Sequence, residues 1–298
     1  MTRSSRRNES ASTESVGSDL SRAGSEIATR AVLRHRKGID MTNALFTKGR
    51  FVWADLVTRE GAKARTFYTE LLNWSATDVD MGPGGKYTML KAGEAGVGGI
   101  PPVMPGMPAN VPSHWLYIIS TDDVDAACRK ATELGGKVVA PAMDLPNVGR
   151  MAVVTDPSGA VFSPFKSATG EMRPDGQQPK VGEFCWYENF TTDVEKSKAF
   201  YAALFGWTWE KAPMPNMEYW IAKRGAVQTA GLMKKPDDVP TPNWLGHLLV
   251  ENLERSTERA TKLGGKKLMG PHDVAGIGSF TVVQDSAGAV VSLFQGKM

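Results

Sequence analysis

Most of this chain is written twice. The segment FVWADLVTREGAKARTFYTELLNW, which starts at Phe51, returns at Phe184 as FCWYENFTTDVEKSKAFYAALFGW, an interval of about 130 residues. Three further segments return in the same order: YTMLKAGEAGVGGI as YWIAKRGAVQTAGL, SHWLYIISTDDVDAACRKATELGGKVV as NWLGHLLVENLERSTERATKLGGKKL, and VVTDPSGAVFSPF as VVQDSAGAVVSLF. A chain patterned this way must build one architecture twice. Its 298 residues, 41% of them hydrophobic, hold enough apolar material for two cores.

Within each half the order strand, helix, short strands occurs two times. Val124, Ala127, Cys128, Ala131 and Leu134 fall on one helical face, with Gly135 at the position of a C-terminal cap. Leu253, Ser256, Thr257, Ala260 and Leu263 repeat that stripe before Gly264. Phe67, Tyr68, Leu71 and Trp74 mark a second kind of helix, answered by Phe200, Tyr201, Leu204 and Trp207, with Thr192 and Glu195 read as a capping box. Runs such as Trp115 to Ile119 and Met151 to Thr155 are β-rich and bounded by turn residues. The expectation is an α+β protein with a disordered N-terminal extension (1–46), a first domain (47–168), a linker (169–180) and a second domain (181–298).

Charge narrows the partners. Residues Met1 to Asp40 hold 8 Lys/Arg against 5 Asp/Glu, which accounts for the whole net charge of +3. The remainder is balanced and carries no basic footprint, so nucleic acid is not expected as a partner. No apolar run approaches the ~20 residues of a membrane span. Cys128 and Cys185 stand far apart, form neither a CxxC nor a Cys/His cluster, and read as small buried hydrophobes. A cytoplasmic location follows, as a monomer or a homodimer, with Met41 an alternative translation start to Met1.

The motifs TFYTELLNW and AFYAALFGW after a first strand, the flanks DVDAA and LGG of the later helix, and the DPSG turn before the last strand resemble the vicinal oxygen chelate superfamily. That superfamily contains glyoxalases, extradiol dioxygenases and bleomycin-resistance proteins. The resemblance spans roughly Phe51 to Gln295 and implies two tandem glyoxalase-like domains, each of two βαβββ modules whose curved mixed sheets surround a cleft. It also implies a divalent metal held in the cleft by His, Glu or Gln side chains, acting as a Lewis acid on a chelating substrate. Carried over residue by residue, the four ligand positions fall on Trp53, Gly98-Gly99, Leu116 and Ser163 in one half, and on Trp186, Ala230-Gly231, Leu245 and Ser292 in the other. An indole offers a proton and no lone pair, and leucine offers nothing. No cofactor is therefore expected, with a divalent metal held by displaced side chains as the alternative.

The remaining cleft chemistry rests on Asp55, Glu188, His114 and His247, placed on the cleft side by strand alternation. The two halves disagree here, since His114 answers Asn243 and His247 answers Ile118. His272, after Pro271, reads as a loop residue, and the glycine-rich MGPGGK and AGVGGI as turns and bulges. Trp115 and Trp244 point away from the cleft, and Asp156 and Asp285 read as turn formers. The expected function is small-molecule binding, in sequestration or resistance, with Trp53, Trp186, Leu116, Leu245, Ser163 and Ser292 lining the sites. The alternative is a glyoxalase-like lyase or isomerase, or a related enzyme acting on a small carbonyl or aromatic substrate with displaced or no metal ligands, using Asp55, Glu188, His114 or His247 as base. A structural role follows instead if the Pro-rich segments 101–112 and 213–217 plug the clefts.

Overall fold

Strand β1 (Phe51–Val57) sends Ala54 and Leu56 into the core and turns Trp53 and Asp55 to the opposite face, as its alternation requires. An extra residue interrupts its pairing with β5 (His114–Ser120) between Phe51 and Trp53. This bulge puts Phe51 on the core side, where its ring stacks on Tyr187 at 3.9 Å, while Trp53 stays on the other face. The computed structural model describes residues 47–104, 106–170, 177–214 and 217–297. The expected N-terminal extension, residues 171–176 of the linker, and Pro105, Pro215 and Asn216 of the Pro-rich segments lie outside the described residues.

Four βαβββ modules follow one another. The first joins β1 to helix α1 (Gly61–Leu72), β2 (Ser75–Asp80), β3 (Lys86–Ala92) and β4 (Ala95–Ile100), and the second joins β5 to α2 (Val124–Glu133), β6 (Lys137–Leu145), β7 (Gly149–Thr155) and β8 (Val161–Ser167). The third comprises β9 (Phe184–Thr191), α3 (Val194–Phe205), β10 (Thr208–Lys211), β11 (Tyr219–Arg224) and β12 (Val227–Lys234). The fourth comprises β13 (Asn243–Leu249), α4 (Leu253–Lys262), β14 (Lys266–Val274), β15 (Gly278–Gln284) and β16 (Val290–Gly296). Modules one and two share a mixed eight-stranded sheet ordered β2-β3-β4-β1-β5-β8-β7-β6, joined at the antiparallel β1/β5 pair. Modules three and four repeat it as β10-β11-β12-β9-β13-β16-β15-β14, joined at β9/β13.

The helices cover the faces where the sheets meet, α1 lying against α4 and α2 against α3. Module one thus shares a sheet with module two and a helical contact with module four. One continuous hydrophobic cluster includes Phe67, Tyr117, Trp207 and Trp244 from both halves. Trp115 and Trp244 sit in it, donating their indole protons to Tyr68 and Tyr201 on the helices. Tyr117 Oη accepts from the Gly246 backbone N–H at 2.7 Å, where a side chain on Gly246 would collide with the phenol.

Several local expectations change. Helix α3 is capped by Asp193, whose carboxylate accepts from Lys196 N, and Thr192 donates instead to Ser158. A carboxylate is the stronger acceptor for the free N–H groups of a first turn. Asp123 and Asn252 cap α2 and α4 in the same way. His272 lies within β14 opposite Phe280, because Gly270 and Pro271 fall in an irregularity of the strand and do not end it. AGVGGI is strand β4, not a turn, and carries the expected bulge at Val97, with glycines that admit close neighbours on both faces. Neither cysteine is fully buried: Cys185 occupies the β9 bulge and Cys128 the edge of the α2 stripe.

Candidate functional site

The concave faces of the two sheets open into a recessed space of about 3430 Å³, bordered by Pro101, Met104, Met107 and Pro112 on one side and by Pro213 and Met217 on the other. The described residues of the two Pro-rich segments thus border the recess.

In the first cleft, β1 contributes Trp53 and Asp55 and β3 contributes Tyr87. Trp53 Nε1 donates to Tyr87 Oη at 2.7 Å, and Tyr87 in turn donates to Asp55 Oδ1 at 2.6 Å. The indole also reaches Asp55 Oδ1 at 3.2 Å. Burial raises the Asp55 carboxyl to about 6, against the lowering effect of its hydrogen bonds to Tyr87 and Trp53. The Tyr87 phenol is pushed far up by the same burial and by the adjacent carboxylate.

Tyr87 holds its place because of Gly99. The two residues lie on the adjacent strands β3 and β4, and a Cβ on Gly99 would overlap the phenol ring. Gly98 is constrained from the other face, where a Cβ would strike the Ala54 carbonyl. A tyrosine thus reaches over the glycine at which the sequence resemblance puts a second ligand.

The second cleft repeats the arrangement with Trp186 and Glu188 on β9, Tyr219 on β11 and Gly231 on β12. Trp186 Nε1 donates to Tyr219 Oη at 2.8 Å, burial and the nearby Glu188 carboxylate push the phenol far up, and a Cβ on Gly231 would again overlap the phenol. Glu188 gains a neighbour that Asp55 lacks: its Oε2 stands 3.6 Å from His247 Nε2. Ser163 Oγ and Ser292 Oγ are buried without hydrogen-bond partners.

Of the residues expected to line the sites, Trp53, Leu116, Trp186 and Leu245 border the recess, whereas Ser163 and Ser292 lie fully buried beneath it. Asp55, Glu188 and His247 belong to the polar clusters just described. His114 also borders the recess, outside these clusters, its Nδ1 bonded to the Pro112 carbonyl at 2.8 Å. Sequence reasoning passed over Tyr87 and Tyr219. Their signal is present, since each opens its copy of a repeated segment whose next-to-last residue is the glycine it covers, Gly99 or Gly231.

These residues do not suit the divalent metal of the family. Both tryptophans present N–H groups, both leucines are inert, and a tyrosine reaches over the glycine at the second position. Among the described residues, no group of three or more His, Cys, Asp or Glu could hold a metal ion. No described helix is long and apolar enough to cross a membrane.

The paired modules and their clefts define the chain as a member of the Glyoxalase/Bleomycin resistance protein/Dioxygenase superfamily, whose model matches residues 50–163, with a glyoxalase-like domain model matching 188–294. The protein CFP32 of Mycobacterium tuberculosis, named as a candidate glyoxylase, is 31% identical over 247 residues, covering 82% of this chain and 93% of its own. The anthracycline biosynthesis protein DnrV of Streptomyces peucetius is 30% identical over 241 residues, covering 76% of this chain and 86% of its own. Among solved structures, the Mn(II)-bound glyoxalase of Novosphingobium aromaticivorans superposes with a TM-score of 0.56 at 15% identity, covering 84% of this chain and 83% of its own, a likeness of fold.

Proposed function

We propose that this chain binds a flat small molecule in its clefts, as a cytoplasmic sequestration or resistance protein acting without a metal. The observation that carries the reading is the Trp–Tyr pair beside a carboxylate, present in both clefts. An apolar recess with a few converging polar groups is the usual form of a ligand site. The aromatic residues favour a planar guest, and the name of the relative DnrV supports a polycyclic one. Two domains that already pack on each other favour a monomer.

Titration with hydroxyanthraquinones, flavins and small aldehydes, followed by tryptophan fluorescence, tests the reading. Saturable quenching that weakens in Tyr87→Phe and Tyr219→Phe is expected, and quenching by none of the three classes would refute it.

A second reading, a metal-free acid–base enzyme, is favoured by one observation: the Asp55 carboxyl, raised to about 6, is matched to proton transfer near neutrality. Turnover of a carbonyl substrate that survives in the Asp55→Asn, Glu188→Gln double variant would count against it.

A further inference from the structure

The two clefts share their tryptophan and tyrosine but differ in the residue that faces the tryptophan across the strand pair. Trp53 faces Ile118 in the first domain, and Trp186 faces His247 in the second. His247 is 5% exposed, borders the recess, and has a buried Nε2 without a hydrogen-bond partner. Phe280 and Phe294 flank the imidazole with ring centroids 5.7 and 6.5 Å away. Ser292, its register partner on β16, carries a second unpartnered buried polar atom. Buried polar groups are nearly always satisfied, and those that are not mark places where a missing partner belongs.

We propose that the second cleft alone takes a proton from its ligand, a planar molecule carrying a phenolic or enolic hydroxyl. The hydroxyl enters in the neutral form that the free molecule has in solution. The ligand O–H bond then breaks and the proton passes to His247 Nε2. Its electron pair stays on the ligand oxygen, and the resulting imidazolium is held by Glu188 Oε2 at 3.6 Å. In the first cleft Ile118 offers no base at this place and the Asp55 carboxyl is already occupied by Tyr87 and Trp53, so a ligand bound there keeps its proton. The inference rests on the binding reading above.

Alizarin, a hydroxyanthraquinone whose visible absorption distinguishes phenol from phenolate, serves as the probe. It is titrated into the full chain at a pH where the free dye is neutral. The wild type is expected to develop the phenolate band, and His247→Gln to lower the bound phenolate-to-phenol ratio at least roughly tenfold, the effect of one pKa unit. Ile118→His should add a second phenolate-forming site, and this arm decides alone if His247→Gln does not fold. Saturable binding with a purely neutral spectrum, or a phenolate band that ignores both substitutions, overturns the proton transfer and leaves the binding reading intact. Absence of saturable binding to the wild type overturns both.

Discussion

Tyr68 in the first domain donates its phenolic proton to Asp285 in the second across 2.9 Å, and Tyr201 in the second returns the contact to Asp156 in the first at 3.0 Å. Each phenol also accepts an indole proton, from Trp115 and Trp244 respectively. Each aspartate uses its other oxygen to hold a turn, Asp156 accepting from Ser158 N, Gly159 N and Ala160 N, and Asp285 from Ala287 N and Ala289 N. The two domains are thus tied by reciprocal bonds between a helix of one and a turn of the other.

Tyr68→Phe strands the Trp115 N–H and leaves Asp285 Oδ2 short of a partner, which should cost about 1–3 kcal/mol. Tyr201→Phe should cost as much, and the two losses should add because the relays share no member. Urea unfolding checks this: the midpoint falls in each variant while the slope is unchanged. Separate unfolding of the two domains in the double variant would mean that these bonds, rather than the wider core, hold them together.

The fold was legible because it depends on features that a sequence repeats openly: helix stripes, LGG caps and DPSG-type turns. Asp156 and Asp285 were read as turn formers, which they are, but their second bond goes to a tyrosine in the other domain and no local pattern announces it. The same limit applied to the clefts. Counting along the motifs located Trp53 and Trp186 and exposed the lost ligands, yet the phenols that occupy the space come from β3 and β11, reached only through the sheet register. The Glu188–His247 pair was half legible, since alternation put both on the cleft side without giving their separation.

Asp55 predicts a pH signature. Its carboxyl is raised from 3.8 to about 6 in the folded chain, so between those values the native state binds more protons than the unfolded state. The contribution of Asp55 to stability must therefore decline as pH rises from about 4 to 6 and stay at its lowest above that. Asp55→Asn removes the buried charge and keeps an acceptor for Tyr87. It should be more stable than the wild type by up to about 3 kcal/mol at pH 8, the equivalent of two pKa units, and equal to it near pH 4. Urea melts at the two pH values measure the difference, and an equal gap at both would show that the carboxyl does not titrate in this range.

Gly99 and Tyr87 should behave as one unit. Gly99→Ala places a methyl group where the phenol lies, and expelling the ring should destabilise the chain by about 1–3 kcal/mol. Tyr87→Ala creates the room and loses the bonds to Trp53 and Asp55. In the double variant the methyl group meets no ring, so the combined cost should fall below the sum of the separate costs by about 1 kcal/mol or more. A double-mutant cycle in urea reads this coupling directly, and strict additivity would mean that the two side chains do not compete for the space.

The donor chemistry of the clefts yields the last expectation. A metal bound only by the native state at a hundred times its dissociation constant would add about 2.7 kcal/mol of stability and raise the thermal midpoint by several degrees. With Trp53 and Trp186 presenting protons and Tyr87 and Tyr219 covering the second ligand position, Mn, Ni or Zn salts should leave the midpoint within about 1 °C, and EDTA should change neither the midpoint nor the affinity for a fluorescence-quenching ligand. Elemental analysis of the dialysed protein supplies the independent check. Stoichiometric metal together with an EDTA-sensitive midpoint would require Asp55 or Glu188 to leave its tyrosine and turn toward an ion. Tyr87→Phe, by releasing the Asp55 carboxylate, should then tighten metal binding if the first cleft holds the ion and leave it unchanged if the second does.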